Sequence, residues 1–238
     1  MRWIICLAFL VVGYACAAQT TTNAWFSTIN TFRIDSNFSL NLDIQVRSTD
    51  KAEHLSTFIF RPAINWHFRK NMFFTIGYAA IQNRRSIQGQ SGYVPEQRIW
   101  QQLTVNHSLG VIPIQHRLRL EQRFIGRYTV TNGDFTTGGN AFANRLRYFT
   151  RAIIPFNASK PFTKGMFAAA QNEVFVNLGN KSAVNGRFFD QNRLYLAVGY
   201  RLSKKFDIDA GYLNQYIVGA NKAISRAHII QLGTYLRL

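Results

Sequence analysis

The sequence predicts an all-β fold, an antiparallel up-and-down transmembrane β-barrel of about 10–12 strands. Three observations predict it. Apolar and polar residues alternate with a period of two through most of the chain, the period at which successive side chains leave opposite faces of a sheet. The alternating segments run mostly 13 to 16 residues. That exceeds the ~5–6 residues of ordinary soluble strands and suffices for the ~9–11 that a tilted strand needs to cross a bilayer. Tight turns also alternate with longer polar connections, as they do when turns lie on one side of a membrane and loops on the other.

The first residues stand apart. Met1 and Arg2 give a positive start, Trp3 to Gly13 is apolar, and Ala15-Cys16-Ala17-Ala18 is a small-residue cleavage region. In that order they make a secretory signal peptide over 1–18, cleaved after Ala17 or Ala18. The apolar run is shorter than the ~20 residues of a spanning helix. Cys16 offers a second reading, a lipidated cysteine, to which Gly13-Tyr14-Ala15 is a poor approach. Cys6 and Cys16 are the only cysteines, so 19–238 contains no disulfide and no thiolate zinc site. Residues 19–238 form one barrel domain without internal repeat or linker.

Strands are expected over 24–34, 36–49, 54–68, 71–83, 96–109, 113–127, 141–156, 165–178, 188–202, 205–218 and 225–238. Phe38, Leu40, Leu42, Ile44 and Val46 alternate with Ser39, Asn41, Asp43, Gln45 and Arg47. Leu118 and Leu120 alternate with Arg117, Arg119 and Glu121, and Leu194, Leu196 and Val198 with Arg193, Tyr195 and Ala197. Arg69-Lys70-Asn71, Gly110-Val111-Ile112 and Ser203-Lys204 are tight turns, while 83–95, 129–140 and 179–187 are longer polar loops. Trp66, Phe68, Phe73 and Phe74 flank one tight turn, as aromatics do at a membrane interface. Eleven segments conflict with the even strand number of single-chain bacterial barrels. The expectation is therefore that 24–34 is not a full wall strand, or that another strand is hidden.

Composition sets a second problem. The chain is 47% hydrophobic, yet carries a formal charge of +17. Export argues against a nucleic-acid partner. In a barrel the arginines must face inward, because a lipid-facing Arg at mid-membrane costs about 2–4 kcal/mol. Alternation then assigns Arg117, Arg119, Arg123, Arg145, Arg147, Arg151, Arg193 and Arg201 to the lumen, with Glu121 and Glu173 as acidic partners and positive charge in surplus. Such side chains either plug a narrow barrel or line a path for anions.

Other chemistry has little support. His54, His67, His107, His116 and His228 are not at metal-ligand spacing, so no metal or cofactor is expected. Ser108 beside His107 is no nucleophile–base pair, since adjacent strand residues face opposite ways, and no catalytic residue is assigned. Asp207 and Asp209 read as surface charge beside turn lysines, and Asn132-Gly133-Asp134 as a turn.

A set of segments carries a resemblance. His116-Arg117-Leu118-Arg119-Leu120-Glu121-Gln122-Arg123, Asn144-Arg145-Leu146-Arg147-Tyr148, Gln171-Asn172-Glu173-Val174-Phe175 and Asp190-Gln191-Asn192-Arg193, with Gly211-Tyr212 and His228, resemble domain-of-unknown-function family 2490. The resemblance spans most of 19–238. It implies an exported outer-membrane barrel and no established activity. The last strand, ending Leu236-Arg237-Leu238, resembles terminal strands recognised by the barrel-assembly machinery, with leucine in place of the usual phenylalanine.

The sequence thus reads as a bacterial outer-membrane barrel with an Arg-rich, ion-paired lumen, structural or passing or binding small anions. Outer-membrane lipid and lipopolysaccharide surround it in this reading. Two other readings are a lipid-modifying enzyme and a surface-binding protein acting through its extracellular loops.

Overall fold

A computed structural model describes residues 19–157 and 161–238; the leader over 1–18 and its two cysteines lie outside the described residues. Eleven strands follow one another: β1 (Gln19–Arg33), β2 (Phe38–Ser48), β3 (Leu55–Arg69), β4 (Met72–Ile87), β5 (Gln90–Leu109), β6 (Ile112–Thr131), β7 (Asp134–Pro155), β8 (Gly165–Leu178), β9 (Phe189–Ser203), β10 (Phe206–Val218) and β11 (Ile224–Arg237). Each pairs with its chain neighbours, and β1 pairs with β11 to close the barrel.

That closure corrects one expectation and adds a parallel seam to the expected antiparallel up-and-down barrel. The segment near 24–34 is a full wall strand, paired with β2 from Trp25↔Arg47 to Arg33↔Ser39 and with β11 from Gln19↔Ser225 to Thr31↔Arg237. The seam is the pair β1 and β11, which run parallel. Strands joined by hairpins alternate in direction, so with an odd number the first and last point the same way. They can close only as a parallel pair.

Two expected loops are strand. β4 and β5 continue past the predicted ends to a turn at Gln88-Gly89, and β6 and β7 to one at Asn132-Gly133. The turn residues have φ of +50° and +78°, and +54° and +85°. Positive φ at both positions is the turn whose twist matches a hairpin, and Asn-Gly favours it. The polar composition of 83–95 and 129–140 marked exposure to water, not loss of strand structure. The connection 179–188 is irregular.

Side-chain direction follows from the turns. Interior residues are odd-numbered on β4 (Thr75, Ala79, Ile81), even on β5 (Glu96, Arg98, Trp100) and odd again on β6 (Arg119, Glu121). Two-residue hairpins without a bulge, Ile87↔Gln90 and Leu109↔Ile112, reverse the parity each time. The β6–β7 and β9–β10 hairpins each contain a register shift that cancels the reversal.

The outward face is apolar. Phe26, Phe38, Leu40, Phe60, Ile64, Ile76, Leu118, Leu196, Val198 and Ile230 are all exposed there. The interior is mixed. Trp25, Phe167, Tyr195, Leu213 and Ile229 form one buried apolar cluster and Ile59, Ala63, Ala79, Ile81 and Trp100 another. Gly77 belongs to the second, since a Cβ there would lie 2.3 Å from Trp100 Cζ2.

Candidate functional site

The candidate site is the interior itself. A cavity of about 1350 Å³ is lined from Arg84, Arg85 and Thr21 at the loop end to Pro113, Tyr235 and Leu238 at the turn end. Its polar wall is built by strand alternation: where one parity is apolar and faces out, the other carries Arg, Asp, Glu, Gln or Asn inward between the buried apolar clusters.

Among the described residues, carboxylates hold eight of the arginines. Arg147 Nη1 donates to Glu121 Oε1 at 2.5 Å, and its Nη2 to Glu173 Oε1 at 2.6 Å. Arg145 donates from Nη2 to Glu121 Oε2 at 2.7 Å and from Nη1 to Asp190 at 3.1 Å. Arg98 and Arg123 each donate from Nε to Glu96 Oε1 at 2.7 Å. Arg61 pairs with Asp43 at 2.6 Å. Toward the turn end Arg151 Nη2 meets Asp209 Oδ2 at 2.5 Å, and the Tyr195 hydroxyl donates to the other oxygen at 2.8 Å. Arg201 bonds both oxygens of Asp207, at 2.8 and 2.9 Å, and Arg237 bonds one of them.

Asp207 and Asp209 therefore correct the surface-charge reading, since both are buried. The turn lysines beside them point away, and alternation carries the aspartates inward. Sequence reasoning also passed over Glu96 and Arg98. Their strand bears polar residues on both parities, with Gln97 and Gln101 outside, so it shows no clean alternation. Arg61 lies in a strand apolar on both faces, with Ile59 and Ala63 inside, which hides it in the same way. Asp43 and Arg47 lay on the polar parity of a clearly alternating strand and were legible.

Arg47, Arg117, Arg119 and Arg193 stand outside this carboxylate hydrogen bonding. Among the described residues Arg47, Arg117 and Arg193 have no carboxylate oxygen within 4.0 Å, and Arg119 has one only at 3.9 Å, on Glu121. Each lies over an aromatic ring instead. Arg47 Cζ is 4.0 Å from the Trp25 centroid, Arg117 Cζ 3.5 Å from Phe149 and Arg119 Cζ 4.0 Å from Trp100. Arg193 Cζ lies 4.8 Å from Phe175 and 5.1 Å from Trp25. Such contacts contribute about 0.5–2 kcal/mol each but leave the charge uncompensated. Arg47 donates to Gln45 at 2.6 Å and Arg119 to Gln102 at 2.8 Å. The guanidinium groups of Arg117 and Arg193 donate to no described residue, and their Nε atoms are buried without an acceptor.

One Ser–His contact lies inside the barrel. Ser39 Oγ is 2.8 Å from His67 Nε2 and accepts from Asn65 Nδ2 at 3.0 Å, while Thr75 donates to Asn65 at 2.8 Å. Ser39 is fully buried, so this chain of hydrogen bonds ties β2, β3 and β4 together.

No curated protein matches the chain. A family model described as a protein of unknown function, DUF2490, matches residues 22–225, which contain β2 to β10 whole and nearly all of β1. The chain, a closed eleven-stranded barrel, belongs to the DUF2490 family.

Proposed function

We propose that the protein is an integral outer-membrane barrel whose lumen binds and passes small anions. The observation that carries this reading is the pair Arg117 and Arg193, which line the cavity with no carboxylate oxygen within 4.0 Å and no hydrogen-bond acceptor for the guanidinium among the described residues. A half-buried cation whose Nε has no acceptor is costly, and a mobile anion supplies the acceptor such a lumen lacks. The apolar outer wall supports a lipid surround, and the tight turns then face the periplasm.

Single-channel recording of the refolded protein in planar bilayers under a salt gradient tests it. The expected result is an anion-selective current whose anion-to-cation permeability ratio falls several-fold in Arg117→Gln and Arg193→Gln. A cation-selective current, or none from a correctly folded barrel, would sink it.

Surface recognition is a second reading. The β6–β7 hairpin carries Tyr128 and Phe135 stacked at 5.5 Å, and beside it the Tyr93 hydroxyl donates to the Leu55 carbonyl at 3.0 Å. These hairpins hold an aromatic platform beyond the cavity mouth. Unchanged current after shortening both hairpins would separate such a role from the lumen's.

A further inference from the structure

Register places two of the unpaired arginines in one row. Arg117 on β6 is opposite Phe149 on β7, Phe149 is opposite Glu173 on β8, and Glu173 is opposite Arg193 on β9. The wall curves, so the side chains at the two ends of this row lean toward the barrel axis. Between them Glu173 is already engaged by Arg147 at 2.6 Å. Trp25 brings in a third, because Arg47 and Arg193 lie over the same indole.

We propose that the lumen holds a compact, multiply charged tetrahedral oxyanion, of which inorganic phosphate is the simplest, clamped by Arg117 and Arg193 with Arg47 alongside. The proposal rests on the small-anion reading above and names its ligand. Charge selects the first property. Three guanidinium groups without carboxylates are offset better by a dianion than by a halide, and an oxyanion accepts several N–H bonds at once. Shape selects the second. A guanidinium lying over a ring keeps its N–H edge free for an acceptor in its own plane. The same contacts cover the aromatic faces around these arginines: Trp25 by Arg47 and Arg193, Phe149 by Arg117, Trp100 by Arg119, and Phe175 by Arg145, Arg147 and Arg193. A ring-bearing acid would have to displace a guanidinium to stack on any of these four rings. A compact oxyanion needs only the edges.

Isothermal titration calorimetry on the refolded protein in detergent micelles, at constant ionic strength, decides the matter. The probes are inorganic phosphate and benzoate, a ring-bearing monocarboxylate. Phosphate is expected to bind saturably, benzoate not. Arg117→Gln and Arg193→Gln are each expected to weaken phosphate at least tenfold, and Arg69→Gln, exposed at the end of β3 and outside the cavity lining, to leave it unchanged. Arg117→Lys keeps the charge but loses the fork; it is expected to fall between wild type and Arg117→Gln, and it serves if the glutamine variant does not fold. Absence of saturable phosphate binding, equal affinity for benzoate, or insensitivity to both Arg117 and Arg193 overturns the proposal. If phosphate fails while the current is still anion-selective, the small-anion reading survives without this site. If both fail, both fall.

Discussion

Arg147 stands between Glu121 and Glu173, donating to the first at 2.5 Å from Nη1 and to the second at 2.6 Å from Nη2. Glu121 also receives Arg145 at 2.7 Å, so one carboxylate ties two neighbouring arginines of β7 to β6. Removing one partner of a buried pair leaves an unpaired charge and typically costs about 3–5 kcal/mol. Glu121→Gln is expected to lose about that much in urea unfolding of the micellar barrel. Adding Arg145→Gln should recover part of the loss. A single variant within 1 kcal/mol of wild type, at ~1 kcal/mol resolution, would show that the network contributes little.

Gly77 predicts a steric effect. An added Cβ would lie 2.3 and 2.4 Å from two Trp100 ring atoms and 2.8 Å from Ala63 Cβ. Overpacking of this kind costs about 1–3 kcal/mol. Gly77→Ala should destabilise by that order, and Trp100→Phe in the same chain should relieve part of it. Unfolding midpoints of the three variants provide the check.

The odd strand count predicts a cross-link. Phe26 on β1 and Leu232 on β11 are register partners on the outward face. Residues 19–238 contain no cysteine, so an introduced pair has no competitor. Paired wall positions suit the ~4.4–6.8 Å Cα separation of a disulfide. Phe26→Cys with Leu232→Cys should oxidise to one intramolecular bond, seen as a gel shift reversed by reductant. Free thiols in the folded barrel would mean that β1 does not close it.

Gly133 is held at φ +85° at the tip of the β6–β7 hairpin, with nothing within 4 Å of an added Cβ. The cost of a larger residue there is conformational, roughly 1–2 kcal/mol and confined to the tip. Gly133→Val should speed limited proteolysis at the hairpin without moving the global unfolding midpoint. A lower midpoint would mean the extension is coupled to the wall.

Asp35 gives a pH dependence. In the turn between β1 and β2, backbone N–H groups of Asn37 and Phe38 donate to its carboxylate at 2.6 and 2.8 Å and hold its pKa below the ordinary 3.8. A depressed folded value means that the stabilisation is present above the unfolded value and lost as pH falls through the folded one. The stability gap between wild type and Asp35→Ala should therefore be constant above about pH 5 and close at lower pH. A gap independent of pH down to about 2 would assign the turn's stability to something other than this charge.

Much of this fold can be read locally. Alternation of period two names most of the strands, and hydrophobic parity assigns Arg117, Arg147 and Arg193 to the interior without reference to any other segment. The site is legible only so far. Which arginines are paired depends on acids from other strands: Asp190 on Arg145, Asp209 on Arg151, Glu96 on Arg123. The burial of Asp207 and Asp209 depends on parity carried through a bulged hairpin. Closure by a parallel β1–β11 pair joins the two ends of the chain, and no local pattern encodes it. Side-chain periodicity is set by the chiral backbone residue by residue, so the sequence alone determines strands and faces. Register, closure and charge pairing are set by contacts between distant segments, and only the tertiary structure decides them.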